Sequence, residues 1–119
     1  MSTKSDSLKG KLTENFSEFS QLSDYSFMNS LKADPQSTKD GNDHKPRSVY
    51  SGHYVPVLPT AIPDPEYISH SNKLFKELGL SSDLTRDKNF CRFFSGDISV
   101  ANYPMSPVGW ATGYALSIY

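Results

Sequence analysis

Apolar residues are distributed unevenly along the chain, and this limits what it can fold into. Only 36% of the 119 residues are hydrophobic, and most of them lie in the second half of the chain. Residues 1–48 hold enough apolar positions for one amphipathic helix but not for a core. We therefore predict a mostly disordered leader over residues 1–46, with one possible short helix. Residues 47–119 form the expected domain, near the size at which a single core is marginal.

Charge and cysteine content exclude several classes of protein. The formal net charge of −1 argues against nucleic acid and anionic membranes as partners, because both require a basic patch. The sequence has no apolar stretch long enough to span a bilayer and no secretory signal at its N-terminus. Cys91 is a lone cysteine, which excludes an internal disulfide and a cysteine zinc cage. We expect a reducing intracellular compartment.

The first half of the chain predicts few regular elements. Phe16, Phe19 and Leu22 recur every three residues, which favours a short helix or a docking segment with Thr13 as its cap. Residues 33–46 are rich in turn-forming and charged residues, as is typical of a linker. Residues 49–58 read as an extended strand, which the prolines at positions 56 and 59 confine to a sheet edge or break.

The second half carries the clearer helix signals. Ser71 or Asn72 caps a helix that Gly79 ends, and a second short helix follows over residues 90–94. Between strand and helix, prolines hold residues 59–65 in an extended crossing. For residues 100–119 the spacing does not decide between helix and strand. The predicted core consists of Leu74, Phe75, Leu78, Phe90, Phe93, Phe94 and Trp110.

Residues with metal-binding potential do not form a ligand set. His44 lies in the charged linker, where it is expected to be solvated. His53 and His70 have no cysteine or carboxylate at ligand spacing. Asp64 and Glu66 flank Pro65, and turn formation explains them better than acid–base catalysis does. We assign no metal ligand.

Nucleophile and phosphate-binding patterns are equally sparse. Cys91 lies beside the phenylalanine face of a helix, with no histidine near it in sequence, so a structural thiol is the favoured interpretation. Gly96, Gly109 and Gly113 lack the context of a phosphate-binding loop. We therefore assign no catalytic residue and no cofactor-binding residue to this chain.

The chain finishes on an apolar, aromatic run over residues 110–119. Such a run needs a partner surface, because unpaired apolar ends are sticky. We expect this chain to be the front piece of a larger protein.

Several short motifs follow one another in an ordered succession. They are Tyr54-Val55-Pro56 through Pro59-Thr60, Pro65-Glu66-Tyr67-Ile68, Asn72 through Leu74, Glu77-Leu78-Gly79-Leu80, Phe93-Phe94-Ser95-Gly96-Asp97 and Pro104 through Pro107. This succession resembles the N-terminal region of the selenoprotein O family, also known as the YdiU family. The similarity spans residues 25–119, including the lead-in Phe27 to Pro35.

The resemblance implies an α+β architecture that forms the N-terminal portion of a protein-kinase-like (pseudokinase) fold, incomplete and truncated before the nucleotide-binding loop. It implies a protein adenylyltransferase that moves AMP from ATP to Ser, Thr or Tyr hydroxyls of protein substrates with Mg²⁺ or Mn²⁺. ATP and metal sites lie after the matched region, so this fragment alone is expected to be inactive. Its partners would be protein substrates and the remainder of its own kinase-like domain. Residues 114–119 are expected to run into the first strands of that lobe. The cytoplasm is the favoured compartment, with the mitochondrion as the alternative that eukaryotic members imply.

This chain departs from the family pattern at two places. The family usually has a Gly-His-Gln-Phe-Gly segment where this chain has Gly113-Tyr114-Ala115-Leu116-Ser117, and Ala61 replaces a proline. These departures indicate a divergent subgroup. A small non-catalytic interaction module, which binds through the proline-rich segment 56–65 and exposed aromatic residues, is the alternative from another functional class.

Overall fold

The computed structural model describes residues 11–42 and 45–118, and within them the chain is a mixed α+β protein. This confirms the expected fold class at that level. The described residues form five α-helices, two short 3-10 helices and one two-stranded sheet. In chain order the elements are α1 (Phe16–Ser20), α2 (Ser26–Asn29), β1 (Val55–Pro56), α3 (Asn72–Leu78), a 3-10 helix (Ser82–Arg86), α4 (Lys88–Phe94), a 3-10 helix (Ile98–Val100), β2 (Trp110–Ala111) and α5 (Gly113–Ile118).

The leader packs against the rest of the chain, so its predicted disorder is not confirmed over the described residues 11–42. Phe16 is fully buried, and its N–H donates to Asp87 Oδ2 at 2.8 Å. The backbone of Thr13 joins the α3 end, donating to Gly79 O at 2.9 Å and accepting from Ser81 N at 2.8 Å. Burial of this large aromatic ring contributes part of the free energy that offsets the entropy of ordering the segment. The predictions for residues 1–10 and for His44 lie outside the described residues.

The described part of the leader contains two short helices, where one was predicted. Asn15, not Thr13, caps α1: its Oδ1 accepts the Glu18 N–H at 2.8 Å. Asn is among the best N-cap residues because its short side chain reaches the free amides of the first turn. After α1 the chain turns through residues 21–25 and begins α2 at Ser26.

The two helix signals of the second half are confirmed. Ser71 caps α3 by accepting the Leu74 N–H at 3.1 Å, and Gly79 ends it at φ 72°, a left-handed conformation that glycine adopts without a Cβ clash. Asp87 caps α4 through Oδ1, which accepts the Asn89 N–H at 2.9 Å. Asp87 thus caps one helix with one oxygen and anchors the leader with the other.

The core is smaller than predicted and partly built from the leader. Phe75, Leu80 and Leu84 form its buried centre, with Phe19 and Phe90 packed against it. The ring of Phe19 meets that of Phe90 edge-on at 5.6 Å. Phe90 and Phe93 are half-buried. The core assignments of four residues were wrong, since their side chains are largely exposed: Leu74, Leu78, Phe94 and Trp110.

The sheet is a minimal antiparallel pair. Val55 pairs with Ala111 and Pro56 with Trp110, so the strand predicted over residues 49–58 shrinks to two residues. Pro56 lies in a strand with one paired neighbour, as expected of proline in a sheet. The leader runs alongside β1, where Asp34 N donates to Tyr54 O at 2.8 Å.

The segment after β2 is helical rather than extended. Residues 113–118 form α5, which corrects the expectation that residues 114–118 run into strands. Thr112 Oγ1 accepts the Ala115 N–H at 3.1 Å and so begins the helix. Leu116 is buried and attaches α5 to the fold. Position 119 lies outside the described residues.

Candidate functional site

An apolar cavity of about 550 Å³ lies open to solvent between α3 and α4. Its wall is mostly aromatic and aliphatic, with residues 66–70 along one side. Several large side chains on it remain exposed: 85% of Ile68, 64% of Phe94 and 59% of Leu78. Contiguous apolar surface of this kind marks an interaction site on a soluble protein. The cavity is therefore a candidate docking surface.

His70 is fixed at the side of this cavity. Its Nδ1 lies 2.5 Å from the Tyr67 hydroxyl, and its ring packs on Phe75 at 4.3 Å between centroids. Its Nε2 is buried and has no hydrogen-bond partner among the described residues. The observed contacts of the His70 ring are therefore those to Tyr67 and Phe75.

A second, charged cleft of about 840 Å³ lies on the other side of residues 66–67. Residues 61–67, which include the end of the extended crossing, form one wall, and the start of α4 forms the other. Lys88 and Arg92 line the α4 wall one helical turn apart, and Asp64 and Glu66 line the crossing. The cleft thus combines acidic and basic side chains.

Two of the residues weighed from the sequence line both recesses. Glu66 and Cys91 belong to the walls of the apolar cavity and of the charged cleft. Asp64 is a non-glycine residue at φ 47°, which matches the turn predicted around Pro65. The Cys91 thiol is half-buried and free. Cys91 and Glu66 thus line the same two recesses, and the lining of the apolar cavity also includes His70, whose contacts are with Tyr67 and Phe75.

His53 has a structural role at the leader. The ring Nδ1 of His53 accepts the backbone N–H of Lys32 at 3.0 Å, and the backbone N–H of His53 donates to Lys32 O at 2.6 Å. The preceding Gly52 has φ 88°, and a Cβ there would lie 2.5 Å from Asp34 N. This close approach requires glycine. His53 and His70 are thus engaged in separate local contacts.

A buried ion pair that the sequence did not reveal closes the leader onto the domain. Asp34 is almost fully buried, and its Oδ2 lies 2.8 Å from Nη2 of the Arg47 guanidinium. Burial raises the pKa of Asp34. The hydrogen bond from the Gln36 N–H and the Arg47 guanidinium together lower it by more than burial raises it, so the pKa lies below its usual range. No spacing rule links these two residues, because a turn-rich segment separates them.

The described residues contain no group of three His, Cys, Asp or Glu side chains that could hold a metal ion. Gly96 adopts φ 98° in the turn that ends α4, where a Cβ would lie 2.7 Å from Thr60 O. Gly109 and Gly113 likewise contact other segments closely. These glycines therefore lie where other segments of the chain approach closely.

Comparison with known proteins gives no relative. No family model, no curated protein and no solved structure matches this chain. Among the described helices none has the length and apolar character needed to cross a bilayer.

Proposed function

We propose that this chain forms the N-terminal part of a protein adenylyltransferase with a protein-kinase-like fold, as in the selenoprotein O family. The open apolar cavity between α3 and α4 carries the proposal. The exposed side chains of Leu78 and Phe94 form an apolar face that is suited to packing against a further layer. The remainder of the kinase-like domain is the partner proposed for this face.

The motif succession supports the same proposal. Ser71 through Leu80 and the Phe93 to Asp97 turn both form well-capped local structures, α3 and the α4 end. Both segments line the apolar cavity, so the segments that carry the resemblance also form the proposed docking face. The cytoplasm is the proposed compartment, and the mitochondrion is the alternative.

The proposed activity belongs to the complete protein. A substrate hydroxyl oxygen forms a bond to the α-phosphorus of ATP, the bond from that phosphorus to the bridging oxygen breaks, and pyrophosphate leaves. The hydroxyl proton passes to a base. No residue of this chain is assigned to that step. The proposed contribution of the chain is to support the lobe that binds the nucleotide.

Label transfer tests this activity with a clear distinction between reactions. The protein encoded by the complete reading frame is incubated with ATP labelled at the α-phosphate or, separately, at the γ-phosphate. Adenylyl transfer predicts labelled protein from the α-labelled ATP alone. Labelling from γ-labelled ATP would indicate phosphoryl transfer instead, and no labelling from either would contradict the proposal.

A matched pair of variants tests the role of the apolar cavity. Leu78→Asp places a charge on the docking face and is expected to reduce label transfer at least tenfold, because the face could no longer pack on the remaining domain. Lys76→Ala lies on the exposed side of α3 and is expected to leave transfer unchanged. Equal activity of both variants would show that the cavity does not dock the catalytic part.

A non-catalytic interaction module is the second candidate, because every residue from 59 to 64 is exposed. An aromatic-lined groove on a partner would recognise such a proline-rich segment. This candidate predicts that the 119-residue chain is monomeric and unfolds cooperatively. The adenylyltransferase proposal predicts instead that the isolated chain self-associates through its open face.

A further inference from the structure

The loop over residues 102–109, here named the latch loop, links the second 3-10 helix to β2. It has no helix or strand of its own, and Tyr103 and Val108 are exposed. Two hydrogen bonds lie within it, from Met105 N to Asn102 O at 2.7 Å and from Val108 N to Ser106 O at 2.8 Å. A segment with little buried apolar area opens locally at low free-energy cost.

The leader contacts the latch loop through three hydrogen bonds. Ser106 N donates to the Tyr25 hydroxyl at 2.8 Å, Gln21 Nε2 donates to Tyr103 O at 3.2 Å, and Ser20 Oγ donates to Met105 Sδ at 3.9 Å. The Tyr25 ring also meets the ring of Trp110 edge-on at 5.9 Å. These contacts join residues that lie far apart in sequence. Tyr25 alone engages both the loop and the strand that follows it.

We infer that Tyr25 is a latch whose hydroxyl holds the latch loop closed, and that the loop opens as a local unit when this contact is lost. The far end of the loop stays attached through Val57 N, which donates to Gly109 O at 3.0 Å. Opening therefore pivots near Gly109, the residue directly before Trp110. Because β2 and α5 follow directly, the state of the latch biases the path of the chain beyond Ala111. That last consequence rests on the proposed function, in which this path leads to the nucleotide-binding lobe.

Amide hydrogen exchange in the 119-residue chain tests the latch. Tyr25→Phe keeps the ring and removes only the hydroxyl that accepts the Ser106 N–H, so local opening predicts that the Met105 and Val108 amides, which are bonded within the loop, exchange about fivefold faster together with Ser106. Acceleration confined to Ser106 would contradict a loop that opens as a unit. The Leu80 and Leu84 amides, which are hydrogen-bonded in the core, are expected to keep their rates. Tyr50→Phe is the matched control, since Tyr50 is 87% exposed.

Trp110 gives a second readout because it is the single tryptophan of the chain. Opening of the loop predicts a red-shifted emission and stronger quenching by acrylamide in Tyr25→Phe but not in Tyr50→Phe. Gln21→Ala changes an exposed side chain, and so retains the fold while removing the contact to Tyr103 O. It is expected to accelerate Ser106 exchange in the same direction, by a smaller factor.

Two results would overturn the latch. Equal acceleration at Ser106, Leu80 and Leu84 would mean that Tyr25→Phe weakens the whole fold rather than opening one loop. Unchanged exchange at Ser106 in both variants would mean that the leader does not hold the loop. Neither readout depends on AMP transfer, so failure of the proposed activity and failure of the latch are distinguishable.

Discussion

Truncation of Phe16 tests whether the leader belongs to the fold. The side chain is 1% exposed and its ring lies 5.5 Å from that of Phe93 and 6.0 Å from that of Phe19. Phe16→Ala removes nearly all of this buried surface and leaves a cavity, a change that typically costs about 3–5 kcal/mol. A cavity at the edge of a small core collapses partly, so we expect about 3 kcal/mol.

Urea unfolding followed by circular dichroism measures this loss. With a slope of about 1.5 kcal/mol per molar urea, a loss of about 3 kcal/mol lowers the midpoint by about 2 M. Domains of this kind are stable by about 5–15 kcal/mol, so the variant would lose a large part of its stability. Both proteins are measured at the same concentration, so that self-association affects the two midpoints equally.

Phe27→Ala is the matched control in the same leader. Phe27 is 71% exposed, and its truncation is expected to change the unfolding free energy by less than about 0.5 kcal/mol. A similar, small effect for both variants would refute the reasoning, because it would mean that the leader is not packed in solution.

The Asp34–Arg47 ion pair and the close approach at Gly52 give two further predictions. Because the folded-state pKa of Asp34 is lowered, its stabilising contribution is complete above the ordinary Asp pKa and is lost as pH falls through the folded value. The difference in urea midpoint between wild type and Asp34→Asn should therefore be constant from pH 7 to about 5 and shrink below about pH 4. A difference that shrinks between pH 8 and 6 would exclude Asp34 as its source. Gly52→Ala should lower the thermal midpoint far more than Gly79→Ala, because a Cβ at position 52 meets Asp34 backbone atoms within 2.7 Å whereas position 79 has open space; equal losses would contradict this account.

The local signals in the sequence proved reliable where a few neighbouring residues decide the structure. Ser71 and Gly79 bound α3 as predicted, because caps depend on hydrogen bonds within one helical turn. The turn that ends α4 followed from the Ser95-Gly96 pair for the same reason. The two helices α3 and α4 were therefore predictable from sequence, whereas the element type of residues 100–119 was not.

Long-range contacts were not predictable in the same way. The burial of Phe16 depends on Asp87 and Phe93, which no local pattern connects to the leader. The Asp34–Arg47 pair is likewise set by how the leader folds back. The pattern on α3 correctly marked an apolar face with Leu74 and Leu78 but could not tell whether this chain supplies the layer that covers it.

The transcript sequence immediately 3′ of the Tyr119 codon tests the central claim most directly. The adenylyltransferase proposal predicts that the reading frame continues and encodes a Gly-Asp-Gly-Arg loop followed by a Leu-Lys-Gly element, as the selenoprotein O resemblance implies. A stop codon at that point would contradict it, because the chain would then lack a nucleotide pocket and the apolar cavity would need a separate partner.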